Sequence, residues 1–505
     1  VRTGGAGRTA TEWLPSAAHA GTAAVTATDA TTVTLTPATG TVCRGDAGGP
    51  TFNATGAGVV VSSLHSLSGQ AGCLAESSTT SQVTDVRVDD LASWITANTP
   101  RSPRTSSDFN GDGKTDIALT GGPDWTCLPV ATSKGDGTFD TTCNSPRGGD
   151  WGNWAHTPNV KVVTGDFAGN GRTDLMLTGG AGWDCLPVAM AKGDGTFDVS
   201  CNKPGLDWSN WATRPGVKVI TGDFAGNGRI DVALTGGPDW NCLPVAMSKG
   251  DGTFDYSCNA PGGDWGNWAH TDNVKVLTGD FAGNGRTSIA LTGGAGWTCL
   301  PVLMSKGDGT FDESCNAPGG DWGNWAHTDN VKVVTGDFTG SGKTDIMLTG
   351  GAGWDCLPLL VSRGNGMFYE SCNKPGLDWS NWAARPGVKV VTGDFNGDGK
   401  TDVVLTGGPD WNCLPMATAK GDGTFDYSCN APGGYWGDWA HTDNVKVVAG
   451  DFAGNGRTDL MLTGGAGWDC LPVLMSKGDT TFDESCHASA PGWSGWASTP
   501  GVKVV

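Results

Sequence analysis

An Asp-Phe pair recurs seven times along this chain, at Asp108, Asp166, Asp223, Asp280, Asp337, Asp394 and Asp451. The first step is 58 residues and each of the five that follow is 57. A period of this length in turn-rich, strand-rich sequence specifies a repeat architecture, and at seven copies radial closure is the expected form. Binding-type residues repeated on such a scaffold point to multivalent recognition and not to catalysis.

The second unit, Val160 to Cys201, displays the pattern. Val160, Val162 and Val163 open a short strand, Leu175 to Leu177 form a second, and Leu186 to Met190 a third. Lys192-Gly-Asp-Gly-Thr-Phe197 is a hairpin turn into a fourth strand that ends at Cys201. Four strands per unit is a propeller blade. The first unit lacks the Val-Lys-Val strand that opens the others, and the chain finishes with Val502-Lys503-Val504-Val505, which supplies it. The expectation is an all-β chain: residues 1–100 as one domain, 101–505 as a seven-bladed β-propeller whose last strand completes the first blade.

Each unit holds two cysteines sixteen apart: Cys127 and Cys143, Cys185 and Cys201, Cys242 and Cys258, Cys299 and Cys315, Cys356 and Cys372, Cys413 and Cys429, Cys470 and Cys486. Cys43 and Cys73 complete the 16. None of these pairs has the short spacing of a zinc knuckle, so disulfides across the hairpin are expected, each contributing roughly 3 kcal/mol by loop closure. That places the chain in an oxidising compartment, and the reading is a secreted, mature form. The net charge of -20 argues against nucleic acid or an anionic membrane as partner, and no apolar run is long enough to insert in a bilayer.

The segment Asp108–Gly122, DFNGDGKTDIALTGG, resembles FG-GAP or VCBS repeats of integrin-type and lectin-type seven-bladed propellers. The resemblance runs from about residue 104 to the end and implies calcium in the Asp-rich loops. Calcium takes six to eight oxygens. The first loop offers Asp108, Asn110, Asp112 and Asp116, and the sixth Asp394, Asn396, Asp398 and Asp402. Ala168, Ala225, Ala282 and Ala453 degrade the second, third, fourth and seventh loops, Ser288 removes the closing acid of the fourth, and Thr339 and Ser341 interrupt the fifth. In any loop the acids could equally cap backbone N–H groups of a tight turn.

Of the 23 tryptophans, all but two recur three per unit. One follows a Gly-Gly turn: Trp125, Trp183, Trp240, Trp297, Trp354, Trp411 and Trp468. Two more form an Asp-Trp-x-x-Trp cluster, as in Asp150-Trp151-Gly152-Asn153-Trp154, with Tyr435 and Gly492 replacing the acid in two units. The cluster reads as inter-blade linker. Aromatic platforms beside amides and carboxylates suit the apolar faces and hydroxyls of sugars. The candidate ligand residues are the Gly-Gly-linked tryptophans together with Trp151, Trp208, Trp265, Trp322, Trp379 and Trp436, plus Asn153 and His156. His270, His327 and His441 repeat His156, while Arg214 and Arg385 stand nearby in two other units. The second tryptophan of each cluster, Trp154 and its equivalents, is expected to be the more buried. The repeats are similar to propeller lectins with pockets between blades.

The first hundred residues differ in character. Cys43-Arg-Gly-Asp-Ala47-Gly-Gly-Pro50 resembles the nucleophile motif of trypsin-like proteases, with alanine where serine belongs. Gly58 to Ser63 looks like the strand lining the specificity pocket, Cys73 fits as partner of Cys43, and Val88 to Ile95 reads as the terminal helix. Thr41, at the base of the pocket, supplies no carboxylate. The match covers only the second barrel; His19 and His65 do not stand where the family's base belongs, and Ala47 has no hydroxyl for the triad. This implies no enzyme activity, and an apolar face that a protein partner or a cleaved N-terminal half covers.

A degenerate trypsin-like domain joined to a lectin-like propeller resembles the lectin subunits of actinobacterial umbrella toxin particles, in which the protease-like domain docks on an adaptor. Two alternatives stand beside a glycan-binding targeting subunit: a serine protease whose propeller captures substrate, and an integrin-like adhesion scaffold that binds protein.

Overall fold

The computed structural model describes the chain except residues 14, 16–18, 41, 56–57, 89–106, 147–149, 239, 409–410, 434–435 and 489–491. Thr41, Tyr435 and the expected helix beyond Val88 therefore lie outside the described residues. The chain divides into two compact units, Val1–Thr99 and Pro100–Val505.

The second unit is built of seven four-stranded antiparallel sheets, a seven-bladed β-propeller. In the second blade the strands are Lys161–Gly165, Asp174–Thr178, Leu186–Ala191 and Phe197–Asn202, close to the sequence expectation. First strands of successive blades lie side by side, so they are innermost. Lys503–Val504 pairs with Ile117–Thr120, in the register Lys503↔Thr120 and Val504↔Leu119, and completes the first blade. Ala118 and Val505 also exchange N–H···O bonds of 2.7 and 2.9 Å. The ring has no open edge at its seam.

Two rings of hydrogen bonds bind the blades together. On one, the residue before the second strand donates its N–H to the Asp carbonyl of the preceding blade: Thr173 to Asp108, Ile230 to Asp166, Thr287 to Asp223 and so on to Thr115 with Asp451, at 2.7–2.9 Å. On the other, the lysine that opens each first strand donates to backbone carbonyls of the segment that leads into the next blade. Lys218 reaches Ala269 and Val274, and Lys503 reaches Val160 across the seam. Burial lowers the pKa of these lysines.

The apolar core is a series of inter-blade layers. Phe167, Met176 and Val188 of the second blade pack with Val232, Leu234 and Phe254 of the third, and Trp208 sits between them. All eight expected disulfides form.

The first unit is a closed antiparallel barrel of six strands: β1 (Arg2–Gly5), β2 (His19–Thr28), β3 (Thr32–Thr39), β4 (Pro50–Thr55), β5 (Gly58–Ser68) and β6 (Val83–Arg87), in the order β1-β2-β3-β6-β5-β4. Its interior cluster is small: Ala23, Val33, Leu35, Val42 and Val83. Val25, Leu64, Leu67 and Val86 are exposed instead, and Leu64 and Val86 are paired neighbours across β5 and β6.

Candidate functional site: paired tryptophans at the blade boundaries

After its fourth strand each blade enters a six-residue helix, Trp151–His156 in the first and Trp208–Thr213 in the second. The Asp-Trp-x-x-Trp cluster is this helix and not an irregular linker. A backbone bond from Trp154 N to the Asp150 carbonyl closes the first turn, and Trp211 N to Asp207 does the same. The i, i+3 spacing puts both indoles on the inward side, and they meet different neighbours.

The first tryptophan is core. Trp151, Trp208, Trp265, Trp322, Trp379 and Trp436 are at most 2 % exposed. Each Nε1–H donates to a threonine hydroxyl at the end of its own blade's second strand, as Trp151 to Thr120 at 3.0 Å and Trp208 to Thr178 at 3.1 Å. These indoles present no face to a ligand, which corrects their assignment as binding residues. The expected order of burial is reversed, because Trp154 and its equivalents are the half-buried member.

That second tryptophan meets the Gly-Gly-linked tryptophan of the following blade. Trp154 and Trp183 have ring centroids 6.4 Å apart, Trp211 and Trp240 5.7 Å, Trp268 and Trp297 6.2 Å, Trp325 and Trp354 6.1 Å. Trp382 with Trp411, Trp439 with Trp468, and Trp496 with Trp125 across the seam complete seven pairs. All these rings are tilted or edge-to-face and only partly buried, so each keeps part of its surface in solvent. The turn glycine is needed for this placement: a Cβ on Gly180 would lie 1.9 Å from the Trp183 indole, which packs flat on the backbone there.

Six of the seven helices also carry polar side chains of one kind or both. Asn153 Nδ2 donates to Asp150 at 3.0 Å, and the pair recurs as Asn210–Asp207, Asn267–Asp264, Asn324–Asp321 and Asn381–Asp378. In four blades a histidine ends the helix. Its Nδ1–H donates to the first glycine carbonyl of the turn, His156 to Gly121 at 2.8 Å, with the same bond at His270, His327 and His441. A carbonyl only accepts, so Nδ1 carries the proton in this bond. Thr213 and Ala384 end the helix in two other units, and the residue after each, Arg214 and Arg385, is exposed.

The Asp-rich loops are hydrogen-bonded turns. Asp108 accepts from Gly111 and Gly113, and Asp116 from Phe109 and Ser133. Asp394 and Asp402 repeat this with Gly397, Gly399, Phe395 and Ala419. Loops that carry alanine make the same bonds, as Asp166 to Gly171 and Asp174 to Ala191. Lys114 and Lys400 hold Asp112 and Asp398 at 2.7 Å. Among the described residues no three acidic, His or Cys side chains converge as a metal cluster. The charge count does set loops one and six apart: burial, with two neighbouring acids adding to it, raises Asp116 and Asp402 to about 7.

Burial likewise raises Asp174 and Asp231 to about 7, and Asp345 and Asp459 to about 6. Unfolded, these acids titrate near 3.9. Between that value and about 7 the folded chain binds more protons than the unfolded one, so stability falls as pH rises through the interval and levels above it. The melting temperature should therefore be higher near pH 5 than near pH 8, by several degrees. A melting temperature that climbs with pH across this window contradicts the assignment.

In the barrel, Ala47 is exposed beside Asp46, which is buried and accepts from Gly7 N at 2.6 Å and Cys43 N at 2.8 Å. The sequence reading missed a buried pair: His65 Nδ1 lies 2.9 Å from Asp85 Oδ1, and Thr51 and Ser63 hydroxyls donate to Asp85 Oδ2. Only the pairing of β5 with β6 brings these residues together.

No protein-family profile and no curated protein matches the chain. Among solved structures the propeller is similar to an Agrocybe aegerita lectin described as recognising non-reducing terminal N-acetylglucosamine. The TM-score is 0.61 at 20 % identity, over 78 % of this chain and 95 % of that one. A Photorhabdus luminescens Tc holotoxin pore gives a TM-score of 0.40 at 13 % identity, over 69 % of this chain and 17 % of that one. The first likeness is one of fold, and the second is too slight to bear on this chain.

Proposed function

We propose that the propeller binds carbohydrate through the seven paired-tryptophan notches, and that the chain is a secreted targeting protein and not an enzyme. The observation that carries the reading is the pair itself: two indoles, held by the helix and the Gly-Gly turn, stay partly in solvent at a boundary repeated seven times, and six of the seven helices also carry an Asp-Asn pair or a histidine. The Thr-bonded indoles are wholly taken up by the core, whereas the second pair packs against the same layers and keeps part of its surface in solvent. The lectin of similar fold supports the class and makes N-acetylglucosamine the first probe. Eight disulfides support an oxidising, extracellular location, and among the described residues no helix is long and apolar enough to cross a membrane. A glycan array on the full chain should give hits that share one terminal sugar. An array without hits, with calcium present and absent, overturns the reading.

Calcium is proposed first at the first and sixth loops, each of which carries three acids in one turn, Asp108, Asp112 and Asp116 or Asp394, Asp398 and Asp402. It would play a structural part, relieving their mutual repulsion in competition with Lys114 and Lys400. A melting temperature unmoved by calcium after chelation would dismiss it.

For the barrel we propose a degenerate trypsin-like lobe that docks a protein. Ala47 at the nucleophile position and the exposed Leu64, Leu67 and Val86 support this. The adaptor of a toxin particle is the partner that the two-domain resemblance suggests. Charging the face with Leu64→Asp and Val86→Lys should abolish capture of that partner while the barrel keeps its fold. Undiminished capture would refute the docking face.

A further inference from the structure

Six blades share one hairpin sequence, Lys-Gly-Asp-x-Thr-Phe-Asp, and the fifth breaks it with Arg363-Gly-Asn365-Gly-Met367-Phe-Tyr369. In the six, the lysine pairs with the final aspartate, as Lys306 with Asp312 at 2.6 Å and Lys249 with Asp255 at 2.7 Å. In the fifth the Arg363 guanidinium carbon lies over the Tyr369 ring, 5.6 Å from its centroid. The backbone does not change: Val361 pairs with Tyr369 as Met304 pairs with Asp312, and Arg363 N bonds to Met367 O as Lys306 N does to Thr310 O. The fold therefore gives no reason for the four changes, all of them on the surface.

What they alter is the character of the surface. Met367 and Tyr369 are 38 % and 42 % exposed, and among the propeller's described residues only Leu206 and Leu377 join them as exposed large hydrophobics. Arg363 and Glu370 sum to zero charge (one Arg, one Glu). The matching stretch of the fourth blade, with Lys306, Asp308, Asp312 and Glu313, sums to -2 (one Lys, three acids). Lys to Arg, Asp to Asn or Tyr, and Thr to Met all run toward the composition of protein interfaces, where Arg, Met and Tyr are enriched and Lys and Asp depleted. The hairpin borders an open groove of about 670 Å3, lined also by Asn316, Pro318, Gly320 and Glu370. No carboxylate among the described residues pairs with the Arg363 guanidinium.

We propose that this groove docks a short segment of another protein, one that carries a carboxylate beside an apolar side chain. The carboxylate meets the planar guanidinium of Arg363, which suits it bidentately. The apolar group lies on Met367 and Tyr369, and Glu370 accepts N–H groups of the segment. A single hairpin is much smaller than the roughly 800 Å2 per partner of a stable globular interface, so an extended segment fits better than a second folded protein. The site is unique in the ring, and it does not rest on the tryptophan notches.

The test compares the full chain with the fourfold variant Arg363→Lys, Asn365→Asp, Met367→Thr, Tyr369→Asp. That variant restores the hairpin the six other blades already fold. The probes are fluorescein-labelled octapeptides with Asp and Glu around one Leu or Phe, and the same peptides with Lys in place of the acids. The acidic peptides should bind the native chain at least about tenfold more tightly than the variant. They should bind more weakly as salt rises, and Trp211→Ala should leave them unaffected. Equal affinity for both chains, a preference for the Lys peptides, no binding of any acidic peptide, displacement by an acidic monosaccharide, or a native dimer that the variant dissolves would each overturn the proposal.

Discussion

Removing Lys503, Val504 and Val505 should lower the melting temperature of the propeller by on the order of 10 °C and broaden its transition. Those residues supply the innermost strand of the first blade. Their loss exposes the edge of Ile117–Thr120 and deletes the two N–H···O bonds between Ala118 and Val505. It also removes the Lys503 brace to Val160 and opens the layers that Val504 and Val505 join. Two partly buried valines and three or four hydrogen bonds amount to roughly 5–8 kcal/mol. Scanning calorimetry of the truncated chain gives the result directly. A shift of a degree or two would mean that the disulfides and the inter-blade layers hold the ring without its seam.

The second large effect separates two tryptophans three residues apart on one helix. Trp208→Ala should cost roughly 3–5 kcal/mol, since it removes a fully buried indole from the layer between the second and third blades and leaves the Thr178 hydroxyl without its donor. Trp211→Ala, whose ring is half-buried against Trp240, should cost about 1 kcal/mol or less. Its consequence lies in binding: one of seven notches is lost, so the number of sugars bound per chain falls while affinity at the others holds. Denaturant melts beside a saccharide titration separate the two. Equal stability losses, or an unchanged stoichiometry in Trp211→Ala, contradict the division of labour.

The blades were legible because the sequence repeats them. The Asp-Phe period marks every unit, the spare Val-Lys-Val strand at the end marks the seam, and cysteines sixteen apart face one another across the hairpin. The helix at Trp151–His156 was hidden by its brevity and by the Pro and Gly around it, although the Trp-x-x-Trp spacing was already helical. Which indole turns inward depends on the threonine that ends the second strand, thirty residues away, as in Trp208 and Thr178. Local sequence does not carry that. The Asp-rich loops were ambiguous for another reason: the carboxylates that ligate an ion are the same ones that cap backbone N–H groups. His65 and Asp85 meet only through the pairing of β5 with β6.

The measurement that bears most directly on the paired-tryptophan site is a TROSY spectrum of the indole N–H groups in 15N-tryptophan protein. The chain would be titrated with the saccharide that scores highest on the array. The account predicts shifts confined to indoles of the half-buried pairs such as Trp154 and Trp183, while the Thr-bonded indoles of Trp151 and its equivalents stay in place. A spectrum that moves at the Thr-bonded indoles, or at none of the pairs, would contradict it.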